Sequence, residues 1–233
     1  MGLIVAAAFT TALALCGLIP LLRKPDNRRA ALLAFLVALP LQPLAYFFVR
    51  APVDGALKAA FGVQAWMAVL AMFYAPLTEE PAKWLTATIP AVHRAIQSQP
   101  VRIALATGLG FGIGEIGFVT FVFMAQGNVP SAPPWAFWGL LIERLEVCFL
   151  HGAFVALPFV QLARGRSFLL GGLAGMTLHF LLNCPIFLAR LDVFGLGTAW
   201  MPVLLLWVMG FVVLGAVMTF RLARVPIAAA RRS

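Results

Sequence analysis

The sequence predicts an all-α fold, a polytopic bundle of transmembrane helices, and three observations carry that expectation. Of the 233 residues 63% are hydrophobic and only 11% are charged, too little polar surface to cover a water-soluble globule. Apolar runs of about 20 residues, the length a helix needs to cross hydrocarbon, recur from end to end. Basic residues collect in alternate loops, the pattern of a chain that crosses a bilayer back and forth.

In order, the expected spans are about Leu3 to Leu22, Ala30 to Val49, Phe61 to Ile89, Ile103 to Gln126, Trp135 to Ala163, Ser167 to Ala189 and Thr198 to Phe220, seven in all. The first has no basic segment before it, which argues against a cleaved signal peptide. Leu13-Ala14-Leu15-Cys16 falls short of a lipoprotein processing site, because Leu15 stands where a small residue is needed. One set of loops and the tail carry Arg23, Lys24, Arg28, Arg29, Arg94, Arg102, Arg164, Arg166, Arg221, Arg224, Arg231 and Arg232. The other set carries Arg50, Lys58 and Arg190, so the count is twelve against three. By the positive-inside rule the N-terminus is outside and the C-terminus cytoplasmic. The net charge of +9 is then topological: its partners are anionic lipid headgroups of the bilayer, with no nucleic acid called for. Pro130 with Pro133-Pro134 marks an outer turn, and Trp135, Trp138 and Trp200 read as interfacial anchors. Cys16, Cys148 and Cys184 lack metal-type spacing and read as small apolar packing residues. Residues 1–233 make one integral membrane domain, with a motif-bearing core at 61–189.

The ionisable residues are in the wrong place for a passive bundle. All five glutamates, Glu79, Glu80, Glu115, Glu143 and Glu146, fall in spans, as do Lys83, Arg144, His151 and His179. Each such group costs roughly 2.5 to 3.5 kcal/mol at membrane depth on insertion scales, so a chain that keeps them uses them. Glu80 lies 14 residues from Arg94; Glu115 lies 13 from Arg102, His151 13 from Arg164, and His179 13 from Arg166. At about 1.5 Å per residue, all four sit roughly 20 Å from one boundary, and a shared polar site near mid-bilayer is expected.

Helical spacing adds local geometry. Lys83 projects between Glu79 and Glu80, so one ammonium can compensate both. Phe111 and Glu115 share a face, as do His179 and Asn183, and Arg144 and His151. Pro81 is expected to distort the helix at the glutamates, with Thr78 capping a restarted turn. Gly108, Gly110, Gly112, Gly114 and Gly117 surround Glu115 and allow close helix approach. Gly112 to Gly117 fits G-x-G-x-x-G, without the strand-turn-helix setting that would make it a dinucleotide site. Glu143 and Glu146 read as structural partners near the outer end.

In order, Glu79-Glu80-x-x-Lys83, Gly110-Phe111-Gly112-x-x-Glu115, His151 and His179-x-x-x-Asn183 resemble the PrsW family of glutamic-type intramembrane proteases, within the superfamily that includes the CAAX prenyl endopeptidases. The likeness covers residues 79 to 183. The CAAX branch usually has Arg after the double Glu and His in the second motif; Lys83 and Glu115 point to the PrsW branch and away from a prenylated substrate. The resemblance implies a peptidase that cuts a membrane-embedded or membrane-proximal protein in a bacterial or archaeal cell membrane, as in regulated cleavage of an anti-sigma-like factor. It implies Glu79 or Glu80 as general base, His179 and Asn183 at the oxyanion, His151 orienting water or serving the leaving amine, and Glu115 in support, with Lys83, Phe111 and Arg144 around them. No cofactor is required, although Glu80, Glu115, His151 and His179 are also residue types that bind Zn²⁺. Two other readings stay open: a proton-coupled transporter or channel, since a relay needs the same groups at mid-membrane, and a catalytically inactive scaffold.

Overall fold

The computed structural model describes residues 1–62, 66–127, 131–192 and 194–227. Eleven α-helices are present among them: α1 (Gly2–Cys16), α2 (Leu18–Arg23), α3 (Arg28–Ala38), α4 (Leu41–Ala45), α5 (Ala51–Phe61), α6 (Trp66–Trp84), α7 (Pro90–Ser98), α8 (Pro100–Ala125), α9 (Trp138–Ala163), α10 (Phe168–Arg190) and α11 (Trp200–Ala223). No strand occurs among the described residues. Six stretches among the described residues are long and apolar enough to cross a membrane: Gly2–Arg23, Arg28–Phe61, Pro100–Ala125, Ile142–Ala163, Phe168–Ala189 and Gly197–Ala223. The chain is an all-α, multi-pass integral membrane protein. Helix α6, expected as a further span, is 19 residues long and holds Glu79, Glu80 and Lys83 in any 18-residue stretch of it, whereas each of those six has an 18-residue stretch with at most two charges.

Helix α9 is the centre of the bundle. It packs on α8, α10 and α11, and His151 to Ala156 are buried on every side, as a helix with neighbours all round must be. Helix α8 lies between α9 and α3, and glycine permits both approaches. A Cβ on Gly108 would strike the backbone of Gly152, and one on Gly112 would sit 2.7 Å from the Cys148 Cα. On the opposite face, Gly110 and Gly114 admit the carbonyl oxygens of Phe35 and Leu39. This small-residue packing fixes the height and rotation of Glu115 against α9. Helix α6 packs on α10 and reaches α4 and the turn that follows it.

Several elements depart from expectation. The second span does not end at Val49: α3, α4, a π-helical turn at Tyr46–Arg50 and α5 run on to Phe61, so Arg50 lies inside a long helical path rather than in a loop. Pro76 and Pro81 are absorbed within α6, and Thr78 restarts no turn; its hydroxyl donates to the Tyr74 carbonyl at 2.6 Å, satisfying itself within the helix. Helix α6 gives way to a 3₁₀ turn at Leu85–Thr88, and α7 follows with Pro90 in its first turn. Trp200 is no interfacial anchor: it is buried and its Nε1 donates to Asp192 Oδ1 at 3.2 Å, whereas Trp135 and Trp138 are exposed. Cys16 is also exposed rather than packed inside, while Cys148 is buried. Pro130, Arg231, Arg232 and residues 63–65 of the third expected span lie outside the described residues, as does the side chain of Arg190.

At the end of the bundle that carries Arg23, one basic residue is more than a topological charge. Arg102 donates to the carbonyls of Leu21 (2.6 Å), Lys24 (2.7 Å) and Asp26 (2.5 Å), and Asn27 Nδ2 donates to Ser98 Oγ at 2.9 Å. These bonds lash the turn between α2 and α3 to the α7–α8 corner.

Candidate active site

Four helices deliver the ionisable residues to one place, as the depth count expects. Lys83 on α6 donates to Glu80 Oε1 at 2.5 Å and to His151 Nδ1 on α9 at 2.8 Å. An ammonium has no lone pair, so Nδ1 is the acceptor and the His151 proton resides on Nε2. That Nε2–H reaches Glu115 Oε2 on α8 at 3.0 Å. Glu115 Oε1 meets Arg144 at 2.8 Å, and Arg144 also forks onto its neighbour Glu143. On the other side, His179 Nδ1 on α10 lies 2.7 Å from Glu80 Oε1, and the His151 and His179 rings meet edge to face with centroids 5.5 Å apart. Phe111 closes one wall, with the His151 ring 4.9 Å from it and Lys83 Nζ also 4.9 Å from its centroid. The shared face of Phe111 and Glu115, and that of Arg144 and His151, both serve this contact.

Lys83 does not bridge both glutamates. Its partners are Glu80 and His151, because α9 stands close enough to claim the second donor that the lone helix would offer to Glu79. Glu79 consequently accepts no hydrogen bond among the described residues, and its nearest charged partner is His179 Nε2 at 3.8 Å from Oε2. His179 directs Nδ1 at Glu80 Oε1 and Nε2 at Glu79 Oε2, so its ring stands between the two carboxylates. Nε2 and the Glu79 carboxylate are 3.8 Å apart, beyond direct hydrogen-bond distance. Beside it, Glu80 Oε2 is buried and also has no partner.

Asn183 is not drawn into the network: it is half-buried, one turn along α10 from His179, and its amide makes no hydrogen bond among the described residues. Glu146, read from the sequence as a structural partner, is half-buried and joins no ion pair among the described residues. Glu143 is the expected partner of Arg144.

Arg50 is the residue that sequence reasoning missed. The π-helical turn that carries it packs on α6, the helix of Glu79. It passes for an outer-loop cation in the sequence. Pro52, Asp54 and Gly55, just beyond it, are turn-type residues and hide the continuing helix.

As a metal centre, the donor atoms that converge are those of Glu79, His151 and His179, all within 4.8 Å of one another, rather than a set built on Glu80 and Glu115. Glu80 and Glu115 are already tied into ion pairs. Within that trio the His151 Nδ1 lone pair meets the Lys83 ammonium, which leaves Glu79 and His179 as its uncommitted members, with the unpartnered Glu80 Oε2 beside them. No family model, curated protein or solved structure matches this chain.

Proposed function

We propose that this chain is an intramembrane endopeptidase of the glutamic type, similar to the PrsW branch, that hydrolyses a peptide bond of a membrane-embedded or membrane-proximal protein in a bacterial or archaeal cell membrane. The observation that supports the reading best is that Glu79, buried and free of hydrogen bonds among the described residues, stands 3.8 Å from His179 Nε2, and in this reading a water lies against both. In this reading Glu79 is the general base. It removes a proton from that water, the hydroxide adds to the scissile carbonyl, and Glu79 returns the proton to the departing amine as the C–N bond breaks. Glu80 positions rather than reacts: with Lys83 and His179 both on Oε1, it holds the imidazole in the tautomer that aims Nε2 at the water. Lys83 keeps a fixed positive charge next to the reacting carbonyl, where negative charge develops, and the uncommitted Asn183 amide is available to the same oxygen. His151, held by Lys83 and Glu115, orients the ammonium. Cleavage of an anti-sigma-like regulator is the substrate use that the family resemblance suggests.

The test compares membrane proteomes of cells carrying the wild-type chain or Glu79→Gln. One membrane protein is expected to accumulate uncut in the variant, and purified wild-type protein is expected to cut it with a metal chelator present. Loss of cleavage on chelation with recovery on adding Zn²⁺ would turn Glu79 and His179 into ligands. Proton movement across liposomes without any cleavage would replace the protease with a transporter.

A further inference from the structure

Arg50 stands apart from the other intramembrane cations. Lys83 and Arg144 are each committed to carboxylates at hydrogen-bond distance, whereas Arg50 forms no salt bridge among the described residues, and its Nε is buried without an acceptor. Its backbone is a π-helical turn, Tyr46–Arg50, a local widening of the helix that re-aims the side chains it carries. Two tethers fix where that turn points. The Tyr46 and Phe47 rings pack on Phe118, at 4.8 and 5.6 Å between centroids, and Phe118 lies three residues beyond Glu115 on α8. The Arg50 guanidinium in turn lies over the Tyr46 ring, 5.9 Å from its centroid. On its other side the turn packs on α6, the helix that carries Glu79. Arg50 therefore lies beside α6 and one aromatic layer from the Glu115 turn of α8, half-buried, with its Nε–H unspent.

We propose that Arg50 is an anion-binding residue of this site that receives a carboxylate of the bound peptide, either its free C-terminus or an acidic side chain near the scissile bond. The Nε–H and the adjacent Nη–H form one edge of the guanidinium, and that edge matches the two oxygens of a carboxylate. A buried donor without an acceptor, as Nε is, is costly, so an incoming carboxylate is bound there with more gain than at an exposed guanidinium. The assignment rests on the peptidase reading for the identity of the ligand, and its test is a binding measurement so that the two can fail separately.

The protein is reconstituted in phosphatidylcholine nanodiscs and titrated with three N-dodecanoyl tripeptides: Leu-Leu-Leu with a free carboxylate, Leu-Leu-Leu amide, and Leu-Asp-Leu amide. At least one carboxylate peptide is expected to bind roughly tenfold or more tightly than Leu-Leu-Leu amide, the scale of a charge-assisted bidentate pair, and the peptide that does so identifies the source. Arg50→Gln is expected to close the gap, and Arg50→Lys, which keeps charge but not the fork, to retain only part of it. Equal binding of all three peptides to wild type overturns the assignment, as does a gap that survives intact in Arg50→Gln, or in Arg50→Lys should the Gln variant not fold. Loss of the gap in nanodiscs containing phosphatidylglycerol also overturns it, because a headgroup phosphate would then be the ligand. A wild type that shows the gap yet cleaves nothing keeps the anion site and loses the peptidase; cleavage without a gap does the reverse.

Discussion

The ion-pair network has two limbs built from the same residue types and separated by their cover. In the inner limb, the side chains of Lys83 and Glu80 are 0% and 1% exposed. In the outer limb, Arg144, Glu115 and Glu143 are 17%, 14% and 27% exposed. A charge in the inner limb has only the partner that the fold supplies, since no solvent can take that partner's place. A charge in the outer limb shares its burden with whatever polar surroundings reach it. The same Glu-to-cation contact is therefore indispensable at one end and replaceable at the other.

The largest effect is expected at Lys83. Lys83→Met strands Glu80 as a buried charge without its cation and also removes the donor to His151, a loss of about 3 to 5 kcal/mol. Pairing it with Glu80→Gln removes the stranded charge and is expected to recover part of that loss. Denaturation of the detergent-solubilised variants measures both. Equal losses in the single and double variants would mean that Lys83 acts through packing, and the contrast between the limbs would lose its electrostatic basis.

Within the inner limb, the two adjacent glutamates separate next. Glu79 accepts no hydrogen bond among the described residues, so Glu79→Gln is expected to leave stability within about 0.5 kcal/mol while lowering peptide cleavage by at least about 10²-fold. Glu80→Gln instead disturbs the Lys83 and His179 contacts and is expected to lower stability and cleavage together. Full cleavage by Glu79→Gln would move the base to Glu80, whose buried Oε2 would then be the atom that meets water.

Convergence of the site was legible because depth in a membrane helix is a residue count, and Glu80, Glu115, His151 and His179 stand 13 or 14 residues from their basic boundaries. Pair assignments were less so. Spacing along α6 places Lys83 near both glutamates, but which of them it serves depends on His151, 68 residues away on another helix. Arg50 was hidden for a different reason: a cation beyond some 20 apolar residues is read as a loop, and only the continuation of helix to Phe61 shows otherwise. Trp200 shows the same limit, since its indole is claimed by Asp192, which a hydropathy pattern does not reveal.

The outer limb is expected to respond more weakly. Arg144→Gln leaves Glu115 with His151 and its partial exposure, so a loss of about 1 to 2 kcal/mol is expected, together with a modest fall in cleavage as the His151 ring loosens. Stability measured by chemical denaturation and cleavage measured on the same sample would separate these. A loss as large as that of Lys83→Met would place Arg144 in the inner limb in energetic terms, despite its exposure.

The smallest effect is expected at Glu143. It is the most exposed member of the network, and Arg144, its only ion-pair partner among the described residues, is also held by Glu115. Glu143→Gln keeps an acceptor oxygen for the guanidinium and strands no charge, because Arg144 retains the Glu115 carboxylate. The loss is expected to stay under about 1 kcal/mol, the range of exposed pairs, with cleavage unchanged. Unfolding of this variant next to wild type in the same detergent is the check. Should Glu143→Gln instead cost several kcal/mol, then partial exposure at this depth faces lipid rather than water, and the outer limb would be as dependent on its own partners as the inner one.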